Sequence, residues 1–360
     1  MMQVQPVMIM AGGTGGHVFP ALAVADVLRD HGVPVIWLGT RAGIEARLVP
    51  AAGYPIEWVN ISGVRGKRLR GRLLAPFNIL SACYQALRIM RRTRPGVVLG
   101  MGGFVSGPGG VVAWLLRKPL LIHEQNAVAG LTNRWLARIA SQLLEAFPGA
   151  LGRGAVHVGN PVRRSITQLP PPSQRLATHR DALRLLVLGG SLGAVRLNEV
   201  VPQALAQIDA DCRPQVIHQT GRNNLQQTVE HYQQYQVQAQ VKDFIDDMDA
   251  AYAWADIVLC RAGAMTVFEL AAAGVGAILV PYPFAVDDHQ RANAEYLRAA
   301  DAAVVRLQHE LGAQWLSATL RDFSRQRDKL LHMACRAREC AMPDAAREVA
   351  RYCMQAGGMH

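Results

Sequence analysis

Two segments of this chain repeat one local pattern, and that repetition limits the folds open to it. Near the start, Val7-Met8-Ile9-Met10 runs into Ala11-Gly12-Gly13-Thr14-Gly15-Gly16-His17 and then into a helical pattern. About 180 residues later, Leu185–Leu188 runs into Gly189-Gly190-Ser191-Leu192-Gly193-Ala194 and a second helical pattern. A buried strand, a glycine-rich turn and a helix normally open a nucleotide-binding α/β domain. Two such openings predict two Rossmann-like domains. The divide falls near Gly159-Asn160-Pro161 and the run Pro170-Pro171-Pro172, giving domains at 1–162 and 163–340, with a C-terminal helix at 341–360 packing back on the first.

The rest of the pattern agrees. Short apolar runs at Val7–Met10, Val35–Leu38, Val97–Leu99, Leu120–His123, Leu185–Leu188, Val216–Gln219, Ile257–Cys260 and Ala277–Val280 read as strands. Helix-length stretches such as Pro20–His31 and Asn198–Ile208 lie between them. Short apolar strands joined by helical crossovers form parallel sheets covered on both faces. Neither glycine turn has the G-x-G-x-x-G spacing of a dinucleotide site.

Charge narrows the partners. The chain carries 38 Lys and Arg against 27 Asp and Glu, a net charge of +11, which favours an anionic partner. Between Glu57 and Glu124 there is no acidic residue, yet Arg65, Lys67, Arg68, Arg70, Arg72, Arg88, Arg91, Arg92, Arg94, Arg117 and Lys118 all fall there. Leu69, Leu73, Leu74, Phe77, Ile79, Leu80, Tyr84 and Leu87 are interleaved with them. This mixture fits a surface lying on an anionic bilayer, where each basic residue contributes ~1 kcal/mol. The same residues could instead form a solvated helix with an ordinary core face. No nucleic-acid module accompanies the patch, so nucleic acid is not the expected partner.

Val97 to Leu116 holds twenty uncharged residues, the length of a membrane span, but six are glycine and one is Pro108. A strand, a glycine-rich loop over Gly102–Gly110 and then a helix is the expectation. The six cysteines (Cys83, Cys212, Cys260, Cys335, Cys340 and Cys353) form no C-x-x-C pair and read as thiols in a reducing compartment. A strand-like start without a basic leader argues against secretion, so a cytoplasmic protein is expected.

Three glycine loops, Gly12 to Gly16, Gly102 to Gly110 and Gly189 to Ala194, each follow a candidate strand. Glycine lets the backbone approach an anion closely, and the helix that follows offers open N–H groups and a positive dipole end. Together they point to phosphate-rich ligands. Further on, Arg261-Ala262-Gly263-Ala264-Met265-Thr266-Val267-Phe268-Glu269 follows a strand, with Glu269 within two turns of a helix start. A carboxylate there can accept both hydroxyls of a ribose. It could equally be a helix acid answering the dipole. Asp288-His289-Gln290 and Asn293 supply groups suited to sugar hydroxyls, and Asn160-Pro161-Val162-Arg163 brings a cation near the phosphate loops.

In combination these segments resemble the MurG family of bacterial N-acetylglucosaminyltransferases. The resemblance is carried by Gly12 to His17, Met101-Gly102-Gly103-Phe104-Val105-Ser106-Gly107-Pro108, His123-Glu124-Gln125-Asn126, Gly159 to Arg163, Gly189 to Ala194, Phe244-Ile245-Asp246-Asp247-Met248, Arg261 to Glu269 and Asp288-His289-Gln290. It implies a GT-B glycosyltransferase architecture: two Rossmann-like domains whose parallel sheets face a cleft, at the cytoplasmic face of the inner membrane. The implied donor is UDP-N-acetylglucosamine. The implied acceptor is lipid I, undecaprenyl-pyrophosphoryl-N-acetylmuramyl-pentapeptide. The matching positions imply Ile245 on uracil, Ala264 to Glu269 around the nucleoside with Glu269 on ribose, and Ser191 with Arg163 on the diphosphate. Gln290 and Asn126 would meet the sugar, which Thr14, Gly15 and Gly16 approach from the other domain.

No cofactor or metal is expected. The triplets Asp209–Asp211 and Asp247–Asp249 fall in a polar turn and at a helix start, poor settings for a metal. Inverting transfer needs a base for the acceptor hydroxyl and charge stabilisation for the leaving diphosphate. His17 is the first candidate base, because imidazole changes charge near neutral pH, and Glu124 is the second. His17 could instead only order its loop. Two rival readings remain: a UDP-N-acetylglucosamine 2-epimerase on the same fold, and a basic nucleic-acid-binding protein.

Overall fold

The computed structural model describes residues 5–61, 75–179, 181–190 and 193–359. Ser191 and the basic cluster from Arg65 to Arg72 lie outside them. The chain forms two compact units, residues 1–163 with 343–360, and residues 164–342. Each is built on one all-parallel sheet.

In the first unit the order is β1 (Val7–Met10), α1 (Gly15–Asp30), β2 (Val35–Gly39), α2 (Glu45–Ala51), β3 (Ile56–Trp58), α3 (Ala75–Thr93), β4 (Val97–Gly100) and α4 (Ser106–Leu115). Then come β5 (Leu120–Glu124), α5 (Leu131–Leu136), β6 (Gln142–Glu145) and β7 (Val156–His157). The sheet order is β3-β2-β1-β4-β5-β6-β7. Residues on β1, β4 and β5 are buried throughout, because helices cover both faces. Side chains alternate between two cores: Val7 and Ile9 join Val18, Val24 and Leu28 of α1, while Met8 and Met10 join Ala82, Ala86 and Met90 of α3.

The second unit contains α6 (Arg164–Thr167), α7 (Pro172–Ala177), β8 (Arg184–Leu188), α8 (Val195–Ala206), β9 (Gln215–Gln219), α9 (Leu225–Gln234), β10 (Gln240–Lys242), α10 (Met248–Trp254) and β11 (Ile257–Cys260). It continues through α11 (Ala264–Ala273), β12 (Gly276–Leu279), α12 (His289–Arg298), β13 (Ala303–Val305), α13 (Ala313–Arg325) and α14 (Arg327–Glu339). Its sheet order is β10-β9-β8-β11-β12-β13. The last helix, α15 (Ala345–Ala356), belongs to the first unit, where Val349, Ala350 and Cys353 enter the core beside α1.

The eight apolar runs are all strands. Strands β3, β10 and β13 have no such signature, since at sheet edges they are short and only partly buried. Helices α1 and α8 begin earlier than the apolar pattern, at Gly15 and Val195. The expected loop over Gly102–Gly110 is shorter than predicted, because α4 already starts at Ser106 and takes in Gly107, Pro108, Gly109 and Gly110. Close packing explains the glycines. A Cβ on Gly109 would fall 2.2 Å from Met10 Sδ, and one on Gly110 would fall 2.7 Å from Leu136 Cδ2. Among the described residues, no helix is long and apolar enough to cross a membrane.

In each sheet the strand order reverses beside the first strand, at β1/β4 and at β8/β11. Loops leaving such neighbouring strands diverge and open a crevice at their carboxyl ends, where ligands of α/β sheets bind.

Candidate active site

In the first unit the loops after β1 and β4 are in direct contact. Met101 N donates to Met10 O at 2.8 Å, and Ser106 Oγ donates to the same Met10 O at 3.1 Å. Gly103 has φ +86°, and a Cβ there would lie 2.4 Å from Gly12 O. Gly103→Ala is therefore expected to cost about 2–3 kcal/mol, a fall of roughly 5–10 °C in a melting curve, and to displace the first loop. An unchanged melting temperature would contradict it.

Thr14 stands at the N-cap of α1, and Gly15, Gly16 and His17 form its first turn. The Gly13 N–H does not face a ligand. It donates to Glu45 Oε2 at 2.9 Å, so the first loop is less of a phosphate cradle than the sequence implied. His17 Nδ1 lies 3.3 Å from Gly12 O. A carbonyl only accepts, so this contact assigns the proton to Nδ1 and the lone pair to Nε2. The ring packs on Gly102, where a Cβ would come within 2.7 Å of His17 Cδ2.

Glu124 ends β5 and is buried. Its Oε1 accepts from Asn126 N at 3.0 Å and Asn126 Nδ2 at 3.3 Å; its Oε2 accepts from Gly130 N at 3.1 Å and Asn133 Nδ2 at 2.9 Å. Four protein donors make it the organiser of the Asn126–Gly130 loop and a poor general base, contrary to its place as second candidate. The Asn126 side chain is oriented by that bond, which uses one of its two amide hydrogens. The neighbouring His123 is fully buried, donates from Nε2 to Gly159 O at 2.9 Å, and is pushed down to about 4 by burial. It stays neutral at pH 7 and anchors the segment leading to Arg163. The Arg163 guanidinium lies over the Phe19 ring at 5.4 Å, within the first unit.

In the second unit α11 starts after Gly263, and Val267 N closes the first turn onto Gly263 O at 3.0 Å. Ala264, Met265 and Thr266 form the first turn of the helix, ahead of that bond. Val267 and Phe268 side chains, expected near the nucleoside, are in the core, where Phe268 stacks on Tyr296. Glu269 is buried and accepts from Tyr252 Oη at 3.1 Å. Ile245 N donates to Gln219 Oε1 at 3.0 Å, so its carbonyl is the main-chain group left for a base. Gln290 Oε1 accepts from Tyr282 N at 2.9 Å. Asn293, expected to meet sugar hydroxyls, is fully buried and ties Nδ2 to Ala262 O at 3.2 Å, which fixes the entry to α11. Arg261 holds Val280 O and Gln308 Oε1 at 3.2 and 2.6 Å.

In the second Asp triplet, Asp247 caps α10 by accepting from Ala250 N at 3.0 Å, and Asp249 accepts from Ser165 Oγ at 3.2 Å. Glu45, Asn133, Gln219 and Tyr252 were not singled out from the sequence.

Residues 7–144 match the N-terminal domain of glycosyltransferase family 28, and residues 184–349 match its C-terminal domain. The chain belongs to glycosyltransferase family 28. A family member from Alkalilimnicola ehrlichii, named UDP-N-acetylglucosamine–N-acetylmuramyl-(pentapeptide) pyrophosphoryl-undecaprenol N-acetylglucosamine transferase, is 57% identical over 97% of this chain and 98% of its own. One of the same name from Nitrosococcus oceani is 56% identical over 97% and 98%. The crystal structure of Acinetobacter baumannii MurG superposes with a TM-score of 0.83 at 41% identity, covering 98% of this chain and 99% of that one. Within the family, then, the likeness to the MurG branch runs the full length of both glycine-turned halves.

Proposed function

We propose that this protein transfers N-acetylglucosamine from UDP-N-acetylglucosamine to the 4-hydroxyl of N-acetylmuramyl-pentapeptide in lipid I, forming lipid II for peptidoglycan synthesis. The observation that carries this reading is identity above one half, along nearly the whole chain, with transferases of that name. The groups at the strand ends support it.

In the proposed mechanism the second unit binds the donor. Glu269 accepts the ribose hydroxyls, the Ile245 carbonyl meets uracil, and Ala264, Met265 and Thr266 offer main-chain amides. Gln290 and Asn126 contact the sugar, with Thr14, Gly15 and Gly16. The acceptor O4 attacks the anomeric carbon and gives its proton to His17 Nε2. The new O4–C1 bond forms as the C1–O bond to the β-phosphate breaks, and UDP leaves with that electron pair. Inversion at C1 yields a β-1,4 linkage. Arg163 and the loop at Ser191, followed by the N-terminus of α8, stabilise the leaving charge.

Peripheral attachment to the cytoplasmic face of the inner membrane is part of the proposal. It is supported by apolar side chains exposed on three helices of the first unit that pack in succession: Phe77 and Leu80 of α3, Trp114 and Leu115 of α4, and Trp135 of α5. The sequence drew attention only to α3. The acid-free window is not wholly unpaired, since Arg92 bonds Glu57 across its edge at 2.5 Å. Trp114→Glu is expected to weaken binding to phosphatidylglycerol vesicles about tenfold in co-sedimentation, through lost apolar burial and added repulsion. Unchanged binding would remove α4 from the contact.

The deciding assay follows labelled sugar from UDP-N-acetylglucosamine onto a lipid I analogue. Disaccharide-lipid and free UDP are expected in equal amounts. Conversion to UDP-N-acetylmannosamine, or with water to N-acetylmannosamine and UDP, without acceptor would favour the epimerase instead, and thermal stabilisation by duplex DNA but not by UDP-N-acetylglucosamine would favour a nucleic-acid binder.

A further inference from the structure

Glu45, at the start of α2, is a fully buried carboxylate, and neither motif nor spacing drew attention to it. Its Oε1 accepts from Thr40 N at 3.0 Å and Thr40 Oγ1 at 2.7 Å, and its Oε2 accepts from Gly13 N at 2.9 Å. Three glycines make room for it. A Cβ on Gly43 would lie 2.0 Å from Oε2, one on Gly12 2.6 Å from Oε1, and one on Gly39 3.0 Å from Cγ. The β1 and β2 loops are thus folded around one buried negative charge.

The peptide group that Glu45 holds is the one that holds His17. The N–H of Gly13 and the C=O of Gly12 belong to a single trans peptide unit, so they point in opposite directions. On one side the N–H meets Glu45 at 2.9 Å; on the other the C=O meets His17 Nδ1 at 3.3 Å. A carboxylate pulling on the N–H polarises the peptide and makes its carbonyl a stronger acceptor. We infer that Glu45 is a positioning residue that acts through the Gly12–Gly13 peptide, holding His17 with its proton on Nδ1. When Nε2 takes the O4 proton, the same chain of bonds supports the imidazolium, and Glu45 itself exchanges no proton. This inference rests on the role of His17 as base in the proposed transfer.

A double-mutant cycle tests it in the full chain with UDP-N-acetylglucosamine and a lipid I analogue. Glu45→Gln sets an amide donor against Gly13 N–H or Thr40 and removes the charge. The variant is expected to lower kcat about tenfold, a fraction of the benefit of a general base, with UDP affinity unchanged. In a His17→Ala background the same change is expected to lower kcat less than twofold, because its route to the reaction is gone. Thr40→Val, which breaks the hydroxyl bond to the other oxygen, is expected to lower the melting temperature yet keep kcat within twofold. Equal losses in both backgrounds, or an equal loss from Thr40→Val, would reduce Glu45 to scaffold. Imidazole 15N shifts of the unaltered protein, assigned by the signal missing in His17→Ala, give a test that needs no folded Glu45 variant. A proton found on Nε2 of His17 would overturn the relay. Normal turnover by His17→Ala would sink the base assignment itself. Loss in His17→Ala with none in Glu45→Gln would sink the relay alone.

Discussion

His17→Ala is expected to reduce turnover at least about 100-fold while UDP binding stays within twofold of the parent's. The size follows from the reaction. A sugar hydroxyl is a weak nucleophile until a base removes its proton, and a positioned base contributes 10²–10⁴-fold. The local geometry weighs against the two nearest alternatives. His123 is closed off in the core and bonded at both ring nitrogens, and the Glu124 carboxylate already receives four protein donors. His17 stands on the first turn of α1, half-buried, with Nδ1 turned inward. His17→Gln refines the test, since its amide can hydrogen-bond a hydroxyl but cannot take its proton. Equal losses in Ala and Gln variants are expected from a base; substantial recovery in Gln would make His17 a binding group. UDP affinity serves as the control because the ribose and base contacts are assigned to a different unit of the chain. A parallel loss of UDP affinity would mean that the substitution had disturbed more than chemistry.

The sequence made the scaffold legible wherever burial on both faces forces continuous apolar runs, as at β1, β4, β5, β8 and β11. The glycine turns were equally visible, because close approach leaves no alternative residue: Gly103 against Gly12 and Gly109 against Met10 are two instances. What the sequence hid was the lattice of polar side chains behind those turns. Glu45 sits thirty-two residues from the amide it holds, and Tyr252 seventeen from Glu269. Each meets its partner through the packing of crossover helices and loops, which sequence spacing does not report. Nor did the sequence distinguish side chains within one motif: Val267, Phe268 and Asn293 are buried in the core.

Glu269→Ala is expected to lower kcat/KM for UDP-N-acetylglucosamine about 100-fold, chiefly through KM. Hydrogen bonds to a charged group contribute about 1.5–3 kcal/mol each, and two of them at the lower bound make about 3 kcal/mol. Each 1.4 kcal/mol is roughly tenfold in affinity. The site supports at least this lower bound. Glu269 is 6% exposed, and the Tyr252 hydroxyl holds one of its oxygens at 3.1 Å, so the carboxylate is already oriented before a ribose arrives. Its charge is felt nearby as well, since it adds to burial in raising the Cys260 thiol. Tyr252→Phe removes that orienting bond and leaves the carboxylate in place, so about a fivefold rise in KM is expected with kcat unchanged. Glu269→Gln should fall between the two, because one of the two accepting oxygens becomes an amide donor and the charge is lost. The competing account, a helix acid that merely answers the dipole, predicts something different: Glu269 lies in the second turn of α11, where the dipole is worth well under 1 kcal/mol, and its loss would lower the melting temperature and leave KM alone. A KM for UDP-N-acetylglucosamine within twofold of the parent's in Glu269→Ala would decide for the dipole and remove the ribose contact from the mechanism.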